Sequence, residues 1–347
     1  MLIKIGSKKF RDTDQKLFAN FSKDFNPIHV NEIESRKLIF GEQIVHGVNI
    51  LLTALIFAKK NIKFQPKEIL CYFYKPVFLN QKIEFFIKKK KEEINIYVKN
   101  NKSINCLITL KKNSTYYFFN KKRKNLNNKI INKVYKKKII DFNFKDINLN
   151  NSYNVKKKTF KLGKNYKKYI KIFNKENLKD ILSLSFFIGM RCPGKFSLLS
   201  KIKIVIDSSL KTKKDINFRI IKYDHNYNSY KINFCGTIYG EIDAFKYQRA
   251  YQDSFEKVKK RIKKNIYKNT KSLIIGGSRG LGELTSKILA AGNGNLALSY
   301  NHGKKEAEKI KREINRSTNN KCQIFKLSMP IKKLNKVIKK FINHNYI

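Results

Sequence analysis

The 347-residue sequence has no tryptophan, five prolines, five cysteines and few acidic groups, 25 Asp and Glu against 77 Lys and Arg. The cysteines stand at 71, 106, 192, 235 and 322, with no C-x-x-C pair. That spacing excludes a zinc-finger pattern or a disulfide framework, so no metal site is expected and the thiols are expected to stay reduced in a cytoplasmic chain. Met1–Phe10 is short and basic, so it does not read as a signal peptide. The best apolar run, Ile44–Ala58, is too short to span a bilayer, carries His46 and Asn49, and reads as a buried helix.

The formal net charge is +52. A charge of that size would suit a polyanionic partner. Yet Lys, Asn, Ile, Tyr and Phe are all abundant, which is what AT-rich codons produce, and Arg is scarce. Arg is the residue that reads phosphates and base edges. The lysines run along the whole chain instead of forming a stripe. The charge therefore reads as coding bias, and neither nucleic acid nor membrane is expected as a partner. A hydrophobic content of 41% suits a folded protein of two or three domains.

The chain divides into parts. Residues 1–112 hold one long apolar helix, Ile44–Lys59, preceded by an irregular segment and followed by strand-like runs at Ile69–Tyr74, Lys82–Lys88, Ile94–Val98 and Ser103–Leu110. Residues 113–150 are Lys- and Asn-rich and read as a linker. Residues 151–255 repeat the pattern, with a helix at Asn177–Met190 and strands at Lys201–Asp207, Asn217–Tyr223 and Ser229–Tyr239. One apolar helix followed by antiparallel strands predicts a sheet wrapped on a buried helix. Residues 268–347 change character. A strand at Ser272–Ile275 leads through Gly276-Gly277-Ser278-Arg279-Gly280-Leu281-Gly282 into a helix at Glu283–Ala291. A strand at Leu296–Tyr300, a helix at Lys304–Ile314 and a strand at Gln323–Leu327 follow. This order is the first half of a dinucleotide-binding unit.

The segment with most chemistry is Phe18–Gly47. Asp24, Asn26-Pro27 and His29 fall within six residues, and Val45-His46-Gly47 opens the apolar helix. A carboxylate and an imidazole held by a proline turn can share one water. A glycine at a helix start can aim its N–H at a developing oxyanion.

These residues resemble the MaoC-like, (R)-specific enoyl hydratase/dehydratase family, which has the hotdog fold. Its signature is an aromatic residue, Ser-Gly-Asp, one variable residue, Asn-Pro, an aliphatic residue and His. Ser22, Asp24, Asn26, Pro27, Ile28 and His29 match, and Lys23 stands where the signature has Gly. Phe40-Gly41, Val45-His46-Gly47 and Lys75-Pro76-Val77 match further on. The resemblance covers residues 1–112. It implies that Asp24 and His29 are the acid/base pair, that Asn26 holds the turn or orients the water, and that Gly47 supports the thioester oxygen. His46 is expected to make a structural hydrogen bond, with a catalytic role the alternative. The implied substrate is an acyl thioester of CoA or acyl carrier protein, and no cofactor is needed for the hydration.

The run Ser185–Ser197 is similar to the second hotdog unit of dehydratases fused to reductases. The implied fold is an α+β double hotdog, one half catalytic and one silent, followed by a partial α/β Rossmann unit. Residues 272–347 resemble the start of a short-chain dehydrogenase/reductase. By that likeness Gly276, Ser278, Arg279, Gly280, Leu281 and Gly282 hold a dinucleotide. Arg279, with Ser299 in place of an acid near the end of the second strand, favours NADP. That family's catalytic Tyr-x-x-x-Lys finds only chance matches, at Tyr267–Lys271 and Tyr300–Lys304, so the reductase part is expected to be inactive. A homodimer and a separate reductase fragment are the expected protein partners. The alternative reading is a non-catalytic, degenerate hotdog scaffold, or a fragment of a split dehydratase-reductase.

Overall fold

The computed structural model describes residues 2–101, 103–114, 128–129, 139–140, 149, 152–163, 167, 169, 173–210, 213–247, 252–319 and 321–328. The predicted linker 113–150 falls almost wholly outside them. The chain forms two compact units, Met1–Ser35 with Phe40–Gln248, and Arg36–Ile39 with Arg249–Ile347.

The first unit begins with β1 (Ile3–Lys9) and α1 (Asp12–Ser22). The sequence reading expects an irregular segment here; a helix forms instead. Gln15, Phe18, Ala19 and Ser22 are buried at the i, i+3, i+4, i+7 spacing of one helical face. The Arg11 N–H donates to the Asp14 carboxylate at 2.8 Å and ties down the first turn. Two of those four buried positions are polar, which masks the period in a hydropathy pattern. Two short helices follow, α2 (Pro27–Val30) and α3 (Glu32–Arg36), and then α4 (Gly47–Ala58). The four predicted strands are β2 (Glu68–Phe73), β3 (Lys82–Lys89), β4 (Glu93–Lys99) and β5 (Ile104–Lys111). Alternate residues such as Ile83, Phe85 and Ile87 enter the core.

Then come β6 (Asn128–Lys129), β7 (Ser152–Lys156), α5 (Lys175–Met190), β8 (Ser197–Ile206), β9 (Asp215–Asp224), β10 (Ser229–Cys235) and β11 (Ile238–Lys246). The predicted single strand Ser229–Tyr239 is in fact the end of one hairpin arm and the start of the next. It breaks at Gly236-Thr237, where the Asp180 carboxylate accepts the N–H groups of Thr237 at 2.6 Å and Ile238 at 3.2 Å. A Cβ on Gly236 would lie 2.5 Å from Asp180 Oδ2, so only glycine fits.

All eleven strands form one sheet in the order β1-β3-β4-β5-β2-β8-β11-β10-β9-β7-β6. Outward from the antiparallel β2–β8 pair, β5-β4-β3-β1 on one side corresponds to β11-β10-β9-β7 on the other, where β6 is added at the edge. The two predicted domains, 1–112 and 151–255, are thus two halves of one unit. α4 and α5 pack in a single shared core with Leu51, Leu52, Leu55, Leu178, Leu182 and Phe187 fully buried. This large antiparallel sheet on buried helices fits a hotdog fold.

The second unit contains α6 (Phe255–Lys259), β12 (Lys271–Ile274), α7 (Gly280–Ala291), β13 (Asn295–Tyr300), α8 (Lys304–Ser317) and β14 (Cys322–Lys326). Its short sheet is parallel, in the order β12-β13-β14. The element order expected for residues 268–347 is present. The unit also takes in α6, whose Phe255 and Val258 join its core with Leu296, Leu298 and Ile310.

Candidate active site

Asp24 sits in the tight connection between α1 and α2, and His29 on α2 itself. Lys23 ends α1 with φ +60°. Lys23, which stands where the signature has glycine, thus adopts a left-handed conformation against its side-chain preference. Asn26 caps α2, its Oδ1 accepting the N–H groups of Ile28 at 3.4 Å and Phe196 at 3.1 Å. Its Nδ2 donates to Gly194 O and Ser197 Oγ, both at 3.1 Å. The side chain is wholly buried and its amide is engaged by protein on both ends. Of the two roles expected for Asn26, holding the turn is the one its contacts occupy.

The Asp24 carboxylate is buried against α5. Ser185 donates to Asp24 Oδ2 at 2.7 Å, and the Asn26 N–H donates to Oδ1 at 3.1 Å. A Cβ on Gly189 would lie 2.0 Å from Asp24 Oδ1. The second half of the unit thus supplies both a hydrogen bond and the room for the carboxylate. Burial raises the Asp24 pKa to about 7, against the opposing pull of the Ser185 and Asn26 bonds. His29 Nδ1 lies 2.8 Å from Ile44 O, which can only accept, so Nδ1 carries the proton and Nε2 a lone pair. Burial lowers the His29 pKa to about 4, with the Ile44 bond opposing.

His46 is fully buried behind this pair, stacked on His29 with ring centroids 3.9 Å apart. Its Nε2 lies 3.0 Å from Asp24 O and its Nδ1 3.4 Å from Gln15 Oε1. Gln15 Nε2 donates to Ile44 O at 2.9 Å, which fixes Oε1 as an acceptor. Burial, followed by the neighbouring His29, holds the His46 pKa well below the usual imidazole range, so the ring carries one proton; Asp24 O can only accept, so Nε2–H donates to it and Nδ1 is left without a proton against Gln15 Oε1. The Nε2 bond ties the ring to the Asp24 backbone.

Asp24, His29 and His46 bring carboxylate and ring-nitrogen atoms within 4.8 Å of one another, close enough in principle for a metal ion. His29 Nδ1 and His46 Nε2 already face carbonyl oxygens, which leaves His29 Nε2 and the carboxylate as the ready donors. Asp24, His29, Gly47, Ser185 and Gly189 line one cavity of about 270 Å³, with Phe40, Ile50, Phe73, Leu199 and Phe245 supplying apolar wall. Gly47 is the first residue of α4, so its N–H is one of the helix-start donors with no partner inside the helix.

The family model of the MaoC like domain matches residues 5–106. Over those residues the chain is similar to a MaoC-like domain. The second half of the unit lies outside that match. Solved structures similar to this chain include a MaoC-like dehydratase, 8% identical over 71% of this chain and 98% of that chain, with a TM-score of 0.44. Another is an (R)-hydratase from A. caviae involved in PHA biosynthesis, 19% identical over 32% of this chain and 91% of that chain, TM-score 0.26. The FolM alternative dihydrofolate reductase 1 from Brucella canis, complexed with NADP, is 21% identical over 23% of this chain and 32% of that chain, TM-score 0.20. No curated protein matches. Of the residues the sequence singled out within 5–106, Asp24, His29 and Gly47 line one cavity, and the Asn26 N–H donates to the Asp24 carboxylate beside it. The sequence did not name Ser185, Gly189 or Gln15 as site residues. Ser185 and Gly189 are four apart on one face of α5, a small-residue pair in an otherwise bulky helix.

In the second unit, Gly276 and Gly280 have φ +76° and +58°, and among the described residues nothing lies within 4 Å of a Cβ built on either. A Cβ on Gly282 would sit 2.3 Å from Gly276 O. Arg279 precedes the first turn of α7, and Leu281 is exposed. Ser299 is buried. Its Oγ accepts the Gly276 N–H at 2.9 Å and its carbonyl the Gly277 N–H at 3.0 Å. Its hydroxyl therefore holds the turn closed, a use the sequence reading did not foresee.

Proposed function

We propose that the first unit is a hydro-lyase that reversibly and (R)-specifically hydrates an enoyl thioester to a 3-hydroxyacyl thioester. The observation that carries this reading is the meeting of Asp24 and His29 in one cavity with the helix-start amide of Gly47. A water bonded to two partners at about 2.8 Å bridges groups about 4.5 Å apart, which suits a pair within 4.8 Å.

The pKa values divide the labour. Near neutral pH His29 is unprotonated and serves as the base, while Asp24 retains a proton and serves as the acid. Water gives a proton to His29 Nε2 as its oxygen attacks the β-carbon. The electron pair moves to the thioester oxygen, which the Gly47 N–H stabilises. Asp24 then delivers its proton to the α-carbon, and the His29 proton passes back to Asp24. One water is added and both residues are restored. Asp24→Asn and His29→Ala should abolish hydration of a crotonyl thioester while circular dichroism stays unchanged. Wild-type rates in both would overturn the reading.

For the second unit we propose dinucleotide binding at the glycine turn. The open space beside Gly276 and Gly280 fits a pyrophosphate at the start of α7. Gly276, Ser278, Arg279, Gly280, Leu281 and Gly282 would hold it, and Arg279 would favour the 2′-phosphate of NADP. Such a cofactor would supply hydride chemistry; this chain's part is binding.

A further inference from the structure

Gln15 is fully buried on α1, outside the segment that carries Asp24 and His29. Burying an amide costs free energy unless its groups are bonded. Ser22, the other polar residue of that buried face, donates within its own helix, to Phe18 O at 2.8 Å. Gln15 donates outside it. Its Nε2 reaches Ile44 O at 2.9 Å and His29 O at 3.3 Å. Both partners are carbonyls, which can only accept, so the orientation of the amide is fixed. These two carbonyls bracket the base. His29 O belongs to the backbone that carries the ring. Ile44 O, 2.8 Å from His29 Nδ1, is the acceptor that decides which ring nitrogen holds the proton. The two donors on Ile44 O, Gln15 Nε2 and His29 Nδ1, fill both of its lone pairs. Gln43 Nε2, from the residue next to Ile44, adds a second donor to His29 O at 3.1 Å. We propose that Gln15 is a positioning residue for the hydration: it clamps the His29 backbone to the Ile44 carbonyl and so keeps the proton on His29 Nδ1 and Nε2 free as the base.

Stability alone does not account for a glutamine at this position. Gln15 Oε1 lies 3.4 Å from His46 Nδ1, and the neutral His46 ring gives its one proton to Asp24 O. Two acceptors therefore face each other, and both side chains are shut away from water. A methionine of the same length would remove that opposition, at the loss of the two carbonyl contacts. A buried residue that breaks a local rule is expected where the site uses it. Here the use is the pair of bonds on the other end of the amide. A base displaced by about 1 Å loses on the order of a hundredfold in rate, so holding the ring and its acceptor at a fixed separation has a direct effect on turnover.

The test is Gln15→Met in the full-length chain, which keeps the length of the side chain and deletes the amide. Nitrogen-15 spectra of the histidine rings at neutral pH, with His29 assigned by comparison with His29→Ala, should show Nδ1–H alone at His29 in the wild type and a mixture of both tautomers in the variant. Hydration of a crotonyl thioester should fall at least about tenfold in kcat, with KM within about twofold of the wild type. A residue that only fills the core would lower the melting temperature and leave the tautomer unmixed. An unmixed Nδ1–H tautomer in the variant, Nε2–H at His29 in the wild type, or an unchanged kcat overturns the proposal. Should Gln15→Met fail to fold, Gln15→Asn decides by the same readouts, because its amide is one methylene too short to reach both carbonyls. The effect on rate rests on the hydration reading; the tautomer does not. If the wild type hydrates no thioester while the tautomers still mix in the variant, the hydration reading fails and the clamp on His29 stands.

Discussion

Gly189 on α5 packs so closely on Asp24 that a β-carbon there would come within 2.0 Å of the carboxylate oxygen. The carboxylate cannot stay in place beside any larger residue, because a backbone-anchored methyl group cannot rotate away. Gly189→Ala should lower kcat for thioester hydration about 100-fold, with KM changed much less. Steady-state kinetics checks this.

The buried carboxyl makes stability depend on pH. Asp24 has a folded-state pKa raised to about 7 by burial. Its stabilising contribution is complete below its ordinary unfolded pKa near 4, and it is lost as pH rises through 7. Asp24→Asn removes that ionisation while keeping the shape. The variant should therefore melt several degrees above the wild type at pH 8 and show little or no advantage at pH 5. Calorimetric scans at the two pH values check the sign.

Lys23 sits at φ +60° where the family signature has glycine. A left-handed conformation costs a side-chain-bearing residue roughly 1–2 kcal/mol. Lys23→Gly should stabilise the chain by about 1 kcal/mol in urea unfolding, without change in hydration rate.

Lys157 and Asp180 form a buried ion pair at 2.8 Å in the second half of the first unit. Removing one partner strands a buried charge. Lys157→Met alone should cost about 3–5 kcal/mol, and pairing it with Asp180→Asn should recover part of that loss. Denaturant unfolding of the two variants checks the order.

How far the sequence carries these conclusions depends on which residues do the work. Asp24, Asn26, His29 and Gly47 lie within one continuous segment, and local chemistry made them legible. The strands β2 to β5 follow from plain alternation. Ser185 and Gly189 are far along the chain, and their meeting with Asp24 arises from the packing of α5, which no local pattern encodes. The α1 helix escaped because Gln15 and Ser22 interrupt its apolar stripe while serving as hydrogen-bonding groups. Ser229–Tyr239 read as one strand because Gly236 breaks the run through Asp180, fifty-six positions earlier in sequence. The union of the two halves depends on the β2–β8 ladder, a pairing between segments over a hundred residues apart.

The central claim is that Asp24 and His29 act as one unit on a shared water. A double-mutant cycle of Asp24→Asn and His29→Ala on crotonyl-thioester hydration tests it directly. Each single variant should lose about 10³-fold in kcat, and the double variant should be no slower than the worse single. Losses that multiply in the double variant, or single variants that retain wild-type rates, would contradict it.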